Sequence, residues 1–194
     1  MCGAYYWGGL VGLAVIRGGM DCLPQRRMCG RGRFPARTLH VVDIENLAGA
    51  AAPTLGRVRE VQSLYAARRG VGAVDQVVVA CSHLTLLNAA LGWPCARYRV
   101  RSGPDGADLE LLDVLYHEHV VERFSHVTIG SGDGAFAAAA ARLAAAGARV
   151  TVVSRQRSLS NRLALAAHEV IFLDPAGPAG PAAAASQPGP VQAA

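Results

Sequence analysis

The stretch His126-Val127-Thr128-Ile129-Gly130-Ser131-Gly132-Asp133-Gly134-Ala135-Phe136 decides how the chain is read. It passes from a short apolar run through a glycine-rich turn, places an acid in that turn, and enters the Ala-rich segment Phe136 to Ala146, which has helical character. An acid just after an apolar strand has no packing reason to be there, which makes Asp133 a functional candidate. Working outward, the same grammar recurs. Leu39 to Asp43 is an apolar run closed by an acid, in Val41-Val42-Asp43-Ile44-Glu45-Asn46.

Between and beyond these two runs the chain alternates. Leu55, Val58, Val61, Leu64 and Tyr65 recur at three and four, the spacing of a helix face, and Val77 to Cys81 reads as a second strand. A short helix is expected over His83 to Leu91, a strand over Arg97 to Val100, and one helix over Asp108 to Phe124 with Leu111, Leu112, Leu115, Val120 and Val121 in register. Val150 to Val153, Leu159 to His168 and Val170 to Leu173 complete the pattern as strand, helix and strand. Strand-helix alternation predicts an α/β fold of three layers, a mainly parallel sheet with helices on both faces. No internal repeat is visible.

Composition bounds the rest. A chain of 194 residues that is 52% hydrophobic buries one sizeable core, so one domain is expected. No run of eighteen apolar residues suggests a membrane span. The formal net charge is +5, but residues 1–37 hold six arginines against the single acid Asp21 and account for all of it. The remainder is balanced, so global charge gives no nucleic-acid footprint on the folded part. The cationic side chains are all Arg and never Lys, as a GC-rich coding sequence produces alongside abundant Ala, Gly and Pro. Five cysteines without a C-x-x-C pair encode neither a disulfide framework nor a zinc site, and reduced thiols fit a cytoplasmic protein. Cys81, at the end of a strand, reads as a buried core residue rather than a nucleophile.

The ends differ from the middle. Residues 1–37 form an apolar and basic extension interrupted by glycine, with no positive segment ahead of its apolar part, so it lacks the polarity of a secretory signal. It is expected to be poorly ordered, with translation starting at Met20 or Met28. Residues 175–194, nearly all Ala, Pro, Gly, Gln and Ser, are expected to form a disordered tail. The folded domain should span 38–174.

In an open parallel sheet, ligands collect outside the carboxyl ends of strands, where chain order reverses. Asp43 and Asp133 occupy such ends. Asp108 precedes a helical stripe, and taken alone it would equally serve as a helix N-cap. Converging carboxylates repel one another and are tolerated mainly around a divalent cation; with no His or Cys beside them, oxygen ligands favour Mg2+ or Mn2+. Phosphodiester hydrolysis is the chemistry such a site commonly serves.

Three segments carry a resemblance. Asp43 with Asn46, Gly106-Ala107-Asp108-Leu109-Glu110-Leu111-Leu112-Asp113, and Ile129 to Phe136 are similar to the three motifs of NYN domains, and Gly147-x-x-Val150-x-Val152 with the Ser158 to Ala166 helix follows that family's order. The resemblance spans Leu39 to Leu173. It implies a PIN-like fold and a metal-dependent ribonuclease, with RNA as partner and Asp43, Asp108 and Asp133 as catalytic metal ligands. By the same resemblance Asp113 matches a further helix acid, although five residues from Asp108 it lies on another face, and Asn46 supports the first Asp and contacts substrate. The family often carries a second acid where this chain has Ala135, so a catalytically degenerate RNA-binding module is the alternative.

Two further patterns bear on binding. Ser131 in the turn, and Arg155, Arg157 and Ser158 at a helix entrance, are candidate substrate contacts, because backbone N–H groups and guanidinium forks seat phosphates. Gly130-x-Gly132-x-x-Ala135 also fits the dinucleotide fingerprint, with Arg155 placed to meet a 2′-phosphate, which keeps an NADP-binding reading open. Its context differs: the fingerprint normally opens the first strand-helix-strand unit, and Asp133 would repel a pyrophosphate.

Overall fold

The computed structural model describes residues 37–174. Expectations about the 1–37 extension before Arg37, the translation start and the 175–194 tail lie outside those residues.

Six strands form one sheet: β1 (Thr38–Asp43), β2 (Gln76–Cys81), β3 (Arg97–Val100), β4 (His126–Gly130), β5 (Arg149–Ser154) and β6 (Glu169–Phe172). Their order is β3-β2-β1-β4-β5-β6 and every pairing is parallel. The chain therefore winds outward from β1 in one direction, then restarts beside β1 with β4 and winds the other way. The switch point falls between β1 and β4, and their carboxyl ends diverge there into a crevice.

Helices α1 (Ile44–Ala48), α2 (Leu55–Arg69) and α3 (Leu86–Gly92) cover one face. Helices α4 (Gly106–His117), α5 (Val120–Arg123), α6 (Ala137–Ala145) and α7 (Asn161–Ala166) cover the other. The strands serve both layers because side chains alternate across a sheet. Leu39 and Val41 join the core under α4 and α6, whereas Val42 joins the core under α1 and α2. This is why the strands read as unbroken apolar runs, as doubly covered parallel strands do. Removing the fully buried Phe136 side chain, which anchors the second core, would cost about 3–5 kcal/mol.

Three local expectations change. The helix expected over Asp108 to Phe124 is two helices, because His119 adopts a left-handed φ of 50° and turns the chain between α4 and α5. Leu111, Val114 and Leu115 and then Val120 and Phe124 still bury in one core; the break lets both groups reach it. The helix expected from His83 starts at Leu86, since the preceding residues form a turn in which Thr85 N–H donates to Ser82 O. The helix expected over Leu159 to His168 shrinks to Asn161–Ala166, because Ser160 N–H donates to Gly132 O across the chain at 2.8 Å. Among the described residues no helix is long and apolar enough to cross a membrane.

Candidate functional site

Asp43 ends β1 and at once caps α1, its Oδ1 accepting the N–H groups of Glu45 and Asn46, each at 3.1 Å. The chain thus reverses within one residue of the strand end, and the carboxyl group stays beneath it, only 6% exposed. Asp108 reaches the same place from the other layer. It sits in the first turn of α4, entered through Gly103 at φ 107° and Asp105 at φ 54°, so the cap position belongs to Asp105 and not to Asp108. Asp133 caps the short 3-10 turn Gly134–Phe136 after β4, with Oδ1 accepting Ala135 N–H at 2.8 Å, and is exposed.

The electrostatics follow from burial. Desolvation pushes the Asp43 carboxyl up to about 7, against the pull of its bond from Asn46 N–H, and the neighbouring Asp108 raises it further. Asp108 is raised too, first by desolvation and then by the charge of Asp133. The Asp43 and Asp108 carboxyl groups lie within hydrogen-bonding reach of each other. Asp108 Oδ1 is buried with no hydrogen-bond partner. A buried carboxylate oxygen left unpaired is costly, on the order of 1–3 kcal/mol, and a cation is the partner that would offset it. The donor set, all oxygen, fits Mg2+ or Mn2+. As they stand the three acids are not drawn into a closed set: among the described residues no three His, Cys, Asp or Glu are placed to grip one ion together.

The other expected residues fall into two groups. Asn46 belongs to the crevice: its Oδ1 accepts Gly132 N–H at 3.0 Å and stitches α1 to the turn after β4. Arg155 approaches from β5, its Nε donating to Asn46 O at 3.2 Å and its guanidinium lying where a side chain at Gly49 would stand. Ser158 is half-buried and donates to Arg155 O at 3.2 Å, and its carbonyl fills the space against Gly132 that a Cβ would need. Ser131 is fully buried and its hydroxyl accepts Asp133 N–H at 3.2 Å, so it shapes the turn from inside. Arg157 is exposed at the rim. Asp113 is not brought to the acids; its oxygens are held by Arg99 at 2.6 Å and His117 at 2.9 Å.

One residue escaped the sequence reading. Glu45, two residues after Asp43, accepts from Ser82 N–H at 2.9 Å and Thr85 Oγ at 2.7 Å, clasping the turn after β2 to the crevice, and its charge acts on Asp43 and Asp108. The signal was an acid immediately before Asn46 in the same turn. Cys81 is buried and desolvation lifts its thiol to about 11, which fits a core residue.

The model of the family described as NYN domain matches residues 42–174, from the residue before Asp43 to the end of the described chain. The chain belongs to the NYN domain family. That family lies within the PIN-like nuclease class, and membership ties the chain to nuclease-like, RNA-related function. Nucleases of this class generally use divalent metal ions. The crystal structure of a protein of unknown function from Vibrio parahaemolyticus has the same fold, with a TM-score of 0.54 at 17% identity over 74% of this chain and 96% of that one. Comparison with curated proteins gives no match. The NYN domain here is thus a three-layer α/β sandwich whose crevice residues converge from both halves of the sheet.

Proposed function

We propose that this NYN domain is a metal-dependent ribonuclease that hydrolyses RNA phosphodiesters at the crevice between β1 and β4. The observation that carries the reading is the buried, unpartnered Asp108 Oδ1 beside an Asp43 whose carboxyl is pushed up to about 7. Two carboxyl groups held in contact under low solvent are a site waiting for positive charge.

Asp43, Asp108 and Asp133 would hold a Mg2+ or Mn2+ ion, which supplies Lewis acidity toward a phosphodiester. A cation held there would favour the ionised form of both Asp43 and Asp108, against the burial that raises them. Asp133, exposed on its turn with Oδ1 on Ala135 N–H, would offer its other oxygen to the ion or the substrate. Asn46 commits its Oδ1 to Gly132 N–H, which leaves its NH2 group as the donor for substrate. Arg155, anchored on Asn46 O, and Arg157 at the rim add positive charge for the phosphate backbone.

Ala135 favours a second reading. It is exposed in the same turn as Asp133 and brings no carboxylate, which supports an RNA-binding module with weakened metal affinity. The NADP reading has less support. The N–H groups of Gly132, Asp133 and Ala135 are taken by Asn46, Ser131 and Asp133, which leaves the turn poor in donors for a pyrophosphate. The test is incubation of purified protein with mixed RNA substrates in Mn2+, Mg2+ or EDTA. Cleavage in metal that stops in EDTA supports the nuclease; binding without cleavage supports the degenerate module; neither one sinks both.

A further inference from the structure

Among the described residues three arginines near the crevice, Arg101, Arg155 and Arg157, have no carboxylate partner, and two of them directly follow a strand. Arg101 directly follows β3 and Arg155 directly follows β5, so they stand at the carboxyl edge of the sheet on opposite sides of the acids. In the strand order four spacings separate them, roughly 19 Å at about 4.8 Å per strand. Arg99, two residues earlier on the strand, is different: it is held by Glu110 and Asp113 at 2.7 and 2.6 Å.

Each of the two is fixed beside the acids by a glycine. A Cβ on Gly106 would come within 2.5 Å of Arg101 O and 3.4 Å of its Cγ, so only glycine lets the Arg101 segment lie against the turn that carries Asp108. A Cβ on Gly49 would collide with the Arg155 guanidinium, and Gly49 at φ 70° ends the helix that Asp43 caps. Along the carboxyl edge the order of residues is therefore Arg101, the acids, Arg155.

We propose that Arg101 and Arg155 are paired phosphate contacts that lay a single RNA strand across the strand ends, with the phosphodiester between them over the acids. This rests on reading the acid cluster as an RNA-cleaving site. One backbone laid along the edge meets both guanidinium groups. The second strand of a duplex would stand off the edge in solvent, and its A-form rigidity would keep the central phosphate from dropping between two flanking contacts. Guanidinium contacts to phosphate carry no base information, so the binding is sequence-tolerant.

The test is fluorescence anisotropy of the full chain with a labelled, mixed-sequence single-stranded RNA and with the same RNA as duplex, in EDTA, over a series of salt concentrations. Arg101→Gln weakens single-strand binding several-fold and lowers the slope of log affinity against log salt by about 0.7, the value for one phosphate on a single strand. Arg155→Gln does the same, but it also loses the bond to Asn46 O, so the exposed Arg101 carries the test, with thermal melts confirming that both variants fold. Arg149, exposed at the other end of β5, is the control, and Arg149→Gln leaves both quantities unchanged. An unchanged Arg101→Gln, an equal loss in Arg149→Gln, or tighter duplex binding overturns the paired contact while leaving the nuclease reading standing. A wild-type chain that binds no RNA in EDTA overturns the paired contact, and one that in Mn2+ neither binds nor cleaves RNA overturns both.

Discussion

The two edges of the sheet treat buried ionisable groups in opposite ways. Near the amino edge, His40 is completely buried on β1, yet both ring nitrogens have partners: Tyr65 Oη at 2.8 Å and Asp75 Oδ2 at 3.3 Å. Asp75 in turn accepts from Thr38 N–H at 2.8 Å and Gly72 N–H at 2.7 Å. Burial alone would raise Asp75, but these bonds and His40 outweigh it and hold the carboxyl below its usual range. Three residues further along the same strand, Asp43 faces Asp108, and an oxygen of that pair has nothing to bond. The first network is closed and serves the fold. The second is open, which is what supports the proposed binding site there, and the contrast points to it by unpartnered polarity rather than by any single residue type.

The contrast breaks most visibly at the closed edge. Asp75→Ala strands His40 and two backbone N–H groups together, and we expect a loss of about 2–4 kcal/mol in urea unfolding with no change in metal response. At the open edge the expected signature is reversed. Asp133→Asn keeps the cap on Ala135 N–H and removes one charge, so its melting temperature in EDTA matches wild type, whereas the stabilisation by millimolar Mn2+, about 1–3 kcal/mol in wild type, and RNA cleavage are both lost. Equal metal responses in the two proteins would remove Asp133 from the site.

The same comparison can be sharpened by pH. Asp43 titrates higher in the fold, about 7 against an ordinary 3.8, so its contribution is complete below 3.8 and is lost as pH rises through 7. His40 titrates below its ordinary 6.5, chiefly through burial, so its contribution is complete above 6.5 and is lost as pH falls. In EDTA, Asp43→Asn should therefore abolish the alkaline decline and melt above wild type at pH 8, leaving the acid limb in place. A variant that melts lower at pH 8 would show that Asp43 is closed after all. The smallest effect concerns Asp113: Asp113→Asn loosens a surface pair with Arg99, changes stability by no more than about 0.5 kcal/mol, and leaves the Mn2+ response intact.

Much of this was legible before the fold was known, for reasons particular residues make plain. Asp43 and Asp133 stood out because an acid that closes an apolar strand serves no packing purpose, and Val41-Val42 with Thr128-Ile129 identified the strands. Asp108 was ambiguous by itself, since a carboxylate in a first helical turn also suits the helix dipole; only its unpartnered oxygen separates the two roles. Helix α1 was hidden because five residues are too few to show a period and Asp43 doubles as its cap. The clasp of Glu45 on Ser82 and Thr85 joins residues about forty positions apart, and nothing local announces it. Ser131 looked like an available hydroxyl in a glycine turn; its inward direction depends on the pleat of β4. The left-handed turn at His119 has neither Gly nor Pro to mark it.

The strand order has a consequence for the chain while it is being made. Asp43 comes from the first half of the sheet, Asp108 from the crossover helix and Asp133 from the second half, beyond a strand that pairs with β1. A nascent chain emerges amino end first, so the two acids in contact are synthesised long before the third can dock. β4 also needs β5 on its other side, and the Gly132 turn needs the Ser160 N–H that follows β5. A truncated or stalled translation product ending before that point therefore holds the acids without the crevice, and an RNA-cleaving activity built this way stays silent on the ribosome, beside the RNA it would most readily meet.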